Sequence, residues 1–276
     1  MNKMNKSLKK LLIHTILIIG VIFTIFPFIW MILTSLKTLT ESTMIPPKIF
    51  PEKPMFENYS EAIEIMNFPT LYINTILYTI ITSIGQVIMC TMAGYAFARI
   101  NFPGRNIIFV IILSVLMVPS QIFLVPQFQI MTKLGLLNTI SALVLPSLFS
   151  AFGTFLMRQF FLKIPIELEE AARLDGSGTF KIFKDICLPL VKPGIVALVI
   201  TSILFTWNNL MWPLIVNTLP QKYTLSVGIA NLSGQHFTNY PVYMASAVLA
   251  VWPMILAFAL FQKQFIEGLA NSGTKG

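Results

Sequence analysis

Residues 164–192 read IPIELEEAARLDGSGTFKIFKDICLPLVK, a charged segment between two apolar stretches. Pro165 suits the first turn of a helix, where its missing N–H has no partner to lose, and the glutamates that follow favour the positive end of a helix dipole. Gly176 and Gly178 are residues at which such a helix ends. The pattern therefore predicts a short helix of about three turns, a glycine bend, and then a second, amphipathic helix.

The rest of the chain has the composition of a polytopic membrane protein. Its mean hydropathy is +0.77, and 55% of its residues are hydrophobic against 11% charged, values that exclude the water-soluble classes. A helix needs about 20 apolar residues to cross a bilayer. We therefore expect an all-α bundle of six transmembrane helices in a single domain, residues 1–276, with the charged loop 161–192 between the fourth and the fifth helix. The six stretches that are long enough are 11–36, 69–98, 106–130, 138–160, 193–217 and 242–263.

The placement of basic residues predicts the orientation of these spans, because Lys and Arg are retained on the cytoplasmic side. With the N-terminus inside, 14 of the 19 Lys and Arg residues lie on the inner side and five on the outer side. Both termini and the loop 161–192 are then cytosolic. The net charge of +8 is explained by this topology, so it does not indicate a nucleic-acid partner.

The spans lack the groups that would supply chemistry or energy. Asp, Glu, Lys and Arg occur only at their margins, whereas proton-driven transporters commonly use an intramembrane acid or base. The chain has no GxxxxGK[ST] loop for nucleotide phosphates and no HExxH metal motif. Neither His14 nor His236 has a catalytic partner nearby, and Cys90 and Cys187 have no paired spacing. We therefore predict no catalytic residue, no metal site and no cofactor, and an energy source outside this chain.

Two of the predicted spans carry neutral hydrogen-bonding residues at helical spacing. Hydroxyls and amides interleaved with aromatic rings could line a path for a neutral, polyhydroxylated solute. The same groups also hold neighbouring membrane helices together, so both interpretations stay open. The candidate path residues are Tyr78, Thr82 and Gln86 in the second span and Thr206, Asn208 and Asn209 in the fifth.

The charged segment also carries a family pattern. The membrane subunits of ATP-binding-cassette importers have a cytoplasmic loop with Glu-Ala-Ala, three residues, Gly, nine residues and Ile-x-Leu-Pro. This chain resembles them over nearly its whole length, and in particular the carbohydrate-type permeases similar to the smaller maltose permease subunit. One departure is Asn209, where the family often has an acidic residue. The matching residues are Glu170-Ala171-Ala172, Gly176, Ile186, Leu188 and Pro189, together with SLKT at 35–38, GYAFARINFPGR at 94–105, GLLNT at 135–139 and the ending FIEGLANSGTKG at 265–276.

The resemblance implies a permease subunit of a sugar or oligosaccharide importer in the cytoplasmic membrane of a prokaryote. Its implied partners are a second, homologous permease, a dimer of cytosolic ATPase subunits and an extracellular substrate-binding protein. At the ATPase contact Glu170 would supply charge, Ala171 and Ala172 close packing, and Asp175 and Gly176 the bend. The alternatives are an importer of a polyol, a glycerol phosphate or an osmolyte, an ion-driven carrier, or a membrane-embedded enzyme.

Overall fold

The computed structural model describes the backbone of residues 2–232 and 239–273, and within these ranges every regular element is helical. The prediction of an all-α fold is thus confirmed, while the prediction about His236 lies outside the described residues. The helices are α1 (Asn2–Ser35), α2 (Leu39–Thr43), α3 (Glu57–Met66), α4 (Phe68–Arg99), α5 (Arg105–Ser114), α6 (Leu124–Lys133), α7 (Ile140–Val144), α8 (Ala151–Leu162), α9 (Ile166–Leu174), α10 (Thr179–Lys181), α11 (Leu188–Leu190), α12 (Lys192–Trp207), α13 (Met211–Val216), α14 (Leu225–Leu232) and α15 (Tyr240–Gly273). Short 3-10 turns lie at Val115–Met117, Ser120–Phe123, Leu145–Ser147 and Pro220–Lys222, and a π-helical segment at Ile182–Cys187.

Three helices in the described ranges are long and apolar enough to cross a membrane by themselves, within α1, α4 and α15. Three further pairs of helices meet that test only when each bent pair is counted as one span. The architecture is therefore compatible with the six predicted spans. Helix α1 buries none of its apolar stretch inside the chain, which is the character of a helix surrounded by lipid or by another subunit.

The third predicted span, 106–130, is not one straight helix. Residues Arg105–Met117 and Ser120–Lys133 meet at 101°. Val118, at the corner, has an extended backbone (φ −94°, ψ 127°), because the ring of Pro119 disfavours a helical conformation in the residue before it. Residues Arg105–Met117 extend only about 20 Å at 1.5 Å per residue, short of a hydrocarbon core of about 30 Å. The fourth predicted span bends by a smaller 47°, between Ile140–Ser147 and Ala151–Leu162.

The chain forms two compact units, residues 1–68 with 229–253 and residues 69–228 with 254–276. In the first unit, buried polar contacts hold the segment that follows α1. The Asn58 amide donates to the carbonyls of Ser35 and Lys37, at 2.8 and 2.9 Å. The Lys37 ammonium is itself buried, lies 4.5 Å from the centroid of the Trp30 ring and donates to the Lys48 carbonyl. The predicted outer segment is thus ordered by its polar groups, since each of these donors has a partner.

The second unit contains two clusters of buried side chains. One joins the C-terminal half of α4 to α8, α9, the π-helical segment and α12, and the other joins α4 to the region of α6, α7 and α13. Helices α4 and α8 approach closely at Gly94, where an added Cβ would lie 2.6 Å from the Cβ of Met157. The first cluster comprises Cys90, Tyr95, Leu156, Met157, Phe160, Phe161, Ile164, Ala172, Ile182, Cys187, Val191, Ala197 and Leu198.

Candidate coupling site

Helix α9 has the start and the stop that the sequence predicts. Pro165 immediately precedes it with an extended backbone (φ −56°, ψ 131°), and the helix covers Ile166–Leu174. Gly176 follows with φ +81°, a left-handed conformation that favours glycine. Behind it the Ser177 amide donates to the carbonyl of Ala172 at 2.9 Å, which closes the end of the helix. The result is a stub of nine residues with a sharp turn behind it.

The outward face of α9 carries part of the predicted contact. Glu170, Ala171 and Asp175 are exposed, as a contact with another protein requires. Leu174 is 90% exposed and lies one turn beyond Glu170 and Ala171 on the same face. Sequence reasoning did not single out Leu174. The available signal was its i+3 and i+4 spacing from those two residues, next to the glycine bend.

The structure places Ala172 on the inward face of α9. This residue is only 8% exposed and belongs to the cluster that joins α9 to α4 and α8. It follows Ala171 by one residue, which turns it about 100° around the helix and onto the inward face. Ala172 therefore packs within its own chain, and of the two alanines Ala171 is the exposed one.

The inward face also holds a fully buried carboxylate, Glu169, at 0% exposure. The Arg99 guanidinium, at the end of α4, lies 2.8 Å from the Glu169 carboxylate through Nε and Oε1. Arg173 approaches the other carboxylate oxygen at 3.4 Å, and the hydroxyl of Tyr95 donates to the same oxygen at 3.5 Å. Glu169 and Arg173 have the i, i+4 spacing at which side chains of a helix meet, whereas Arg99 precedes Glu169 by 70 positions.

The loop 161–192, with α9, the glycine bend and a second helix, is called the elbow below. Its second helix is less regular than predicted. It runs as α10, a π-helical segment and α11, and it buries Ile182 and Cys187 completely. The ring of Phe183 packs on Tyr95 of α4, with centroids 4.9 Å apart. Burial, and then the neighbouring Glu169 carboxylate, raise the pKa of the Cys187 thiol to about 12. Cys187 is thus a protonated packing residue.

Two polar residues of α4, Tyr78 and Gln86, make hydrogen bonds to other segments of the chain. The Tyr78 hydroxyl accepts a hydrogen bond from the Asn209 amide at 3.2 Å, which brings two candidate path residues together. The Gln86 amide donates to the Ser147 carbonyl at 2.6 Å, at the break between α7 and α8. Asn208, in contrast, is exposed and donates to the Leu204 carbonyl of its own helix.

Two candidate path residues have buried hydroxyl groups. Thr206 is buried in α12, and Thr82 is completely buried in α4. Within the described chain the Thr82 hydroxyl has no hydrogen-bond partner, as is also true of its neighbours Thr79 and Ser83. Buried polar groups are normally paired. Contacts between helices therefore account for Tyr78 and Gln86, but not for the hydroxyls of Thr79, Thr82 and Ser83.

Known proteins share this arrangement of helices, and the short acidic helix α9 lies within the shared region. The family described as "Binding-protein-dependent transport system inner membrane component" matches residues 87–270, a region that contains α9 and both buried clusters. The chain belongs to this family. It is therefore a multi-pass component of an inner-membrane transport system that depends on a binding protein, and the resemblance identified from its motifs is confirmed.

Individual relatives of this permease family match over most of the chain. The arabinooligosaccharides transport system permease protein AraQ of Halalkalibacterium halodurans is 38% identical over 207 residues, 75% of this chain and 74% of that protein. The sn-glycerol-3-phosphate transport system permease protein UgpE of Brucella suis is 33% identical over 276 residues, 97% of this chain and 98% of that protein. Both are named as transport permeases, not as enzymes.

A solved structure has the same fold. A chain of a bacterial ABC transporter involved in the import of the acidic polysaccharide alginate superposes with a TM-score of 0.82. The match covers 96% of this chain and 99% of that chain at 23% sequence identity. This chain therefore shares its helical fold with a chain of that transporter.

Proposed function

We propose that this chain is the permease subunit of an ATP-driven importer that carries a sugar or an oligosaccharide across the cytoplasmic membrane of a prokaryote. Residues 1–276 would form one permease domain, half of a pore whose other half is a second, homologous permease. The observation that carries the proposal is α9, a short acidic helix with an exposed apolar tip in a chain that has no energy source in its spans. The relatives named for arabinooligosaccharides and the alginate importer support a carbohydrate as the substrate.

The orientation belongs to the same proposal. An excess of Lys and Arg on one side favours a cytosolic position for that side, and α9 lies in a loop on the side with 14 of the 19 basic residues. Both termini would then be cytosolic. The external substrate-binding protein would deliver the solute to the opposite side.

In the proposed mechanism α9 docks on a cytosolic ATPase subunit through its outward face. Glu170 supplies charge at the rim, Ala171 permits a close approach, and Leu174 fills an apolar pocket. Asp175 and Gly176 set the turn that presents this face. When two ATPase subunits close on ATP, they move α9 and rock the bundle between outward and inward access.

The relatives named for sn-glycerol 3-phosphate make that solute the second candidate. Phosphate groups are commonly bound by Arg or Lys side chains. The candidate path residues from Tyr78 to Asn209 are all neutral, and a polyhydroxylated sugar suits hydroxyls and amides better. Uptake of labelled arabino-oligosaccharide, in competition with glycerol 3-phosphate, would distinguish the two.

The docking role is tested by Ala171→Lys, with Ala171→Ser as the matched control. The lysine variant should remain in the membrane but lose ATPase co-purification and uptake, because a long cation cannot enter a close helix-to-groove contact. The serine variant should keep both. Normal uptake by Ala171→Lys would contradict the docking role. Uptake that stops when the proton gradient is collapsed, with ATP still present, would instead indicate an ion-driven carrier.

A further inference from the structure

We propose that Arg99 and Glu169 are positioning residues that lock α9 to the end of α4, so that a force on α9 moves α4. The inference rests on the proposed coupling function and goes beyond it, because it assigns the link inside this subunit through which the coupling would act. Neither residue lies on the outward face of α9.

Arg99 and Glu169 form a buried ion pair. The Glu169 carboxylate is completely buried, and the Arg99 side chain is nearly so, at 9% exposure. A buried charge is costly unless an opposite charge or hydrogen bonds compensate it; here Nε and Oε1 form an ion pair, and the hydrogen bonds come from other atoms of the two groups. Separation of α9 from α4 would leave both charges without each other in the interior. The ion pair therefore opposes the separation of α9 from α4.

The Arg99 guanidinium also binds backbone carbonyls near the end of α8. Its Nη2 atom donates to the carbonyls of Phe161, at 2.8 Å, and of Ile164. These carbonyls lie at and just beyond the C-terminal end of α8, where the last carbonyls of a helix lack partners within the helix. One guanidinium thus joins three elements, because it holds α9 and the end of α8 from its own place on α4. A lysine ammonium is a point charge and cannot reproduce this fork.

The backbone at either end of α9 departs from the helical conformation. Pro165 is extended at one end, and Gly176 has a left-handed conformation at the other. An added Cβ at Gly176 or Gly178 would meet no atom within 4 Å, so the positions beside these two glycines are open. The direction of α9 is therefore set by its inward side chains, among which Glu169 carries the only charge that is fully buried in the described part of α9.

The experiment uses the importer reconstituted with its ATPase subunits, second permease and binding protein. Glu169→Gln removes the charge at nearly constant shape, and Arg99→Lys keeps the charge but loses the fork. Asp185→Asn is the matched control, because it also neutralises a carboxylate of the same loop, but an exposed one. The two readouts are uptake of labelled arabino-oligosaccharide per ATP hydrolysed and the rate of tryptic cleavage after Arg173.

We expect both test variants to assemble with the ATPase, to transport about tenfold less solute per ATP, and to be cleaved faster after Arg173, whereas Asp185→Asn behaves as the wild type. Unchanged transport per ATP in the assembled variants would overturn the proposal. Failure of both variants to assemble with the ATPase would also overturn the proposal, because the ion pair would then serve only the folding of the subunit. If the wild-type chain neither binds the ATPase nor requires ATP, the proposed function fails, while the cleavage rate still tests the lock.

Discussion

Substitution of Gly94 tests how closely α4 and α8 must approach. A Cβ at this position would lie 2.6 Å from the Cβ of Met157, 2.9 Å from the amide nitrogen of Arg158 and 3.0 Å from the carbonyl carbon of Met157. Carbon atoms in contact are optimally about 3.5–4.0 Å apart. Two of the three obstructing atoms belong to the backbone, so rotation of a side chain cannot relieve the overlap. Gly94→Ala should therefore push α4 and α8 apart by about 1 Å.

The consequence extends to the other end of the contact. The Arg99 guanidinium donates to the Phe161 carbonyl at 2.8 Å, and a shift of about 1 Å would lengthen this distance beyond the hydrogen-bonding range. Overpacking of this kind destabilises a protein by about 1–3 kcal/mol. With a shift of about 2–4 °C per kcal/mol for a chain of similar size, the melting temperature should fall by roughly 2–12 °C.

The assay is thermal unfolding of the purified subunit, followed by uptake in the assembled importer. Gly20→Ala in α1 is the matched control, because an added Cβ there meets no atom within 4 Å and alanine favours a helix over glycine by up to about 1 kcal/mol. The control should melt at or slightly above the wild-type temperature. If Gly94→Ala melts as high as Gly20→Ala, the close approach of α4 and α8 is not a requirement of this fold.

Three further changes address the elbow. Gly176→Ala should reduce uptake and cost about 1–2 kcal/mol of stability, because a left-handed backbone is unfavourable for a residue with a Cβ; Gly178→Ala, at φ −75°, should have no such effect in the same unfolding and uptake measurements. Leu174→Ser should leave the melting temperature unchanged but weaken ATPase binding about 10- to 100-fold, as expected when a partner pocket loses a buried leucine; equal affinity in a pull-down titration would contradict the docking of this tip. In a Cys90→Ala background, Cys187 should react with maleimide roughly a thousandfold more slowly than a free thiol at pH 7, because a raised pKa leaves little thiolate. Its rate should still rise with pH where that of a free thiol has levelled off, because the pKa is raised, and fast labelling at pH 7 would show that the thiol is not buried.

Local signals were sufficient for α9 and its bend. Pro165 and Gly176 act through their own backbone preferences, so their effect could be predicted without knowledge of the fold. The three helices that are long and apolar enough to cross a membrane, within α1, α4 and α15, could be predicted in the same way, because the length of an apolar stretch reports whether it can cross a bilayer.

Proline marks where this local reasoning ends. Pro27 and Pro253 lie inside the continuous helices α1 and α15, whereas the chain turns by 101° at Pro119. The residue type is the same in the three places. The outcome depends on whether the surroundings compensate the lost hydrogen bond, and the neighbours of a proline in space cannot be deduced from its neighbours in sequence.

The sequence by itself determined that this chain is a helical membrane bundle with a charged elbow, and its motifs determined the family. Only the tertiary structure decided which face of α9 each residue occupies, with Glu170, Ala171 and Leu174 outward and Glu169 and Ala172 inward. The physical reason is the range of the forces. Helix starts, stops and apolar lengths are properties of consecutive residues, whereas the buried position of Glu169 depends on a guanidinium that folding brings to it from a different helix.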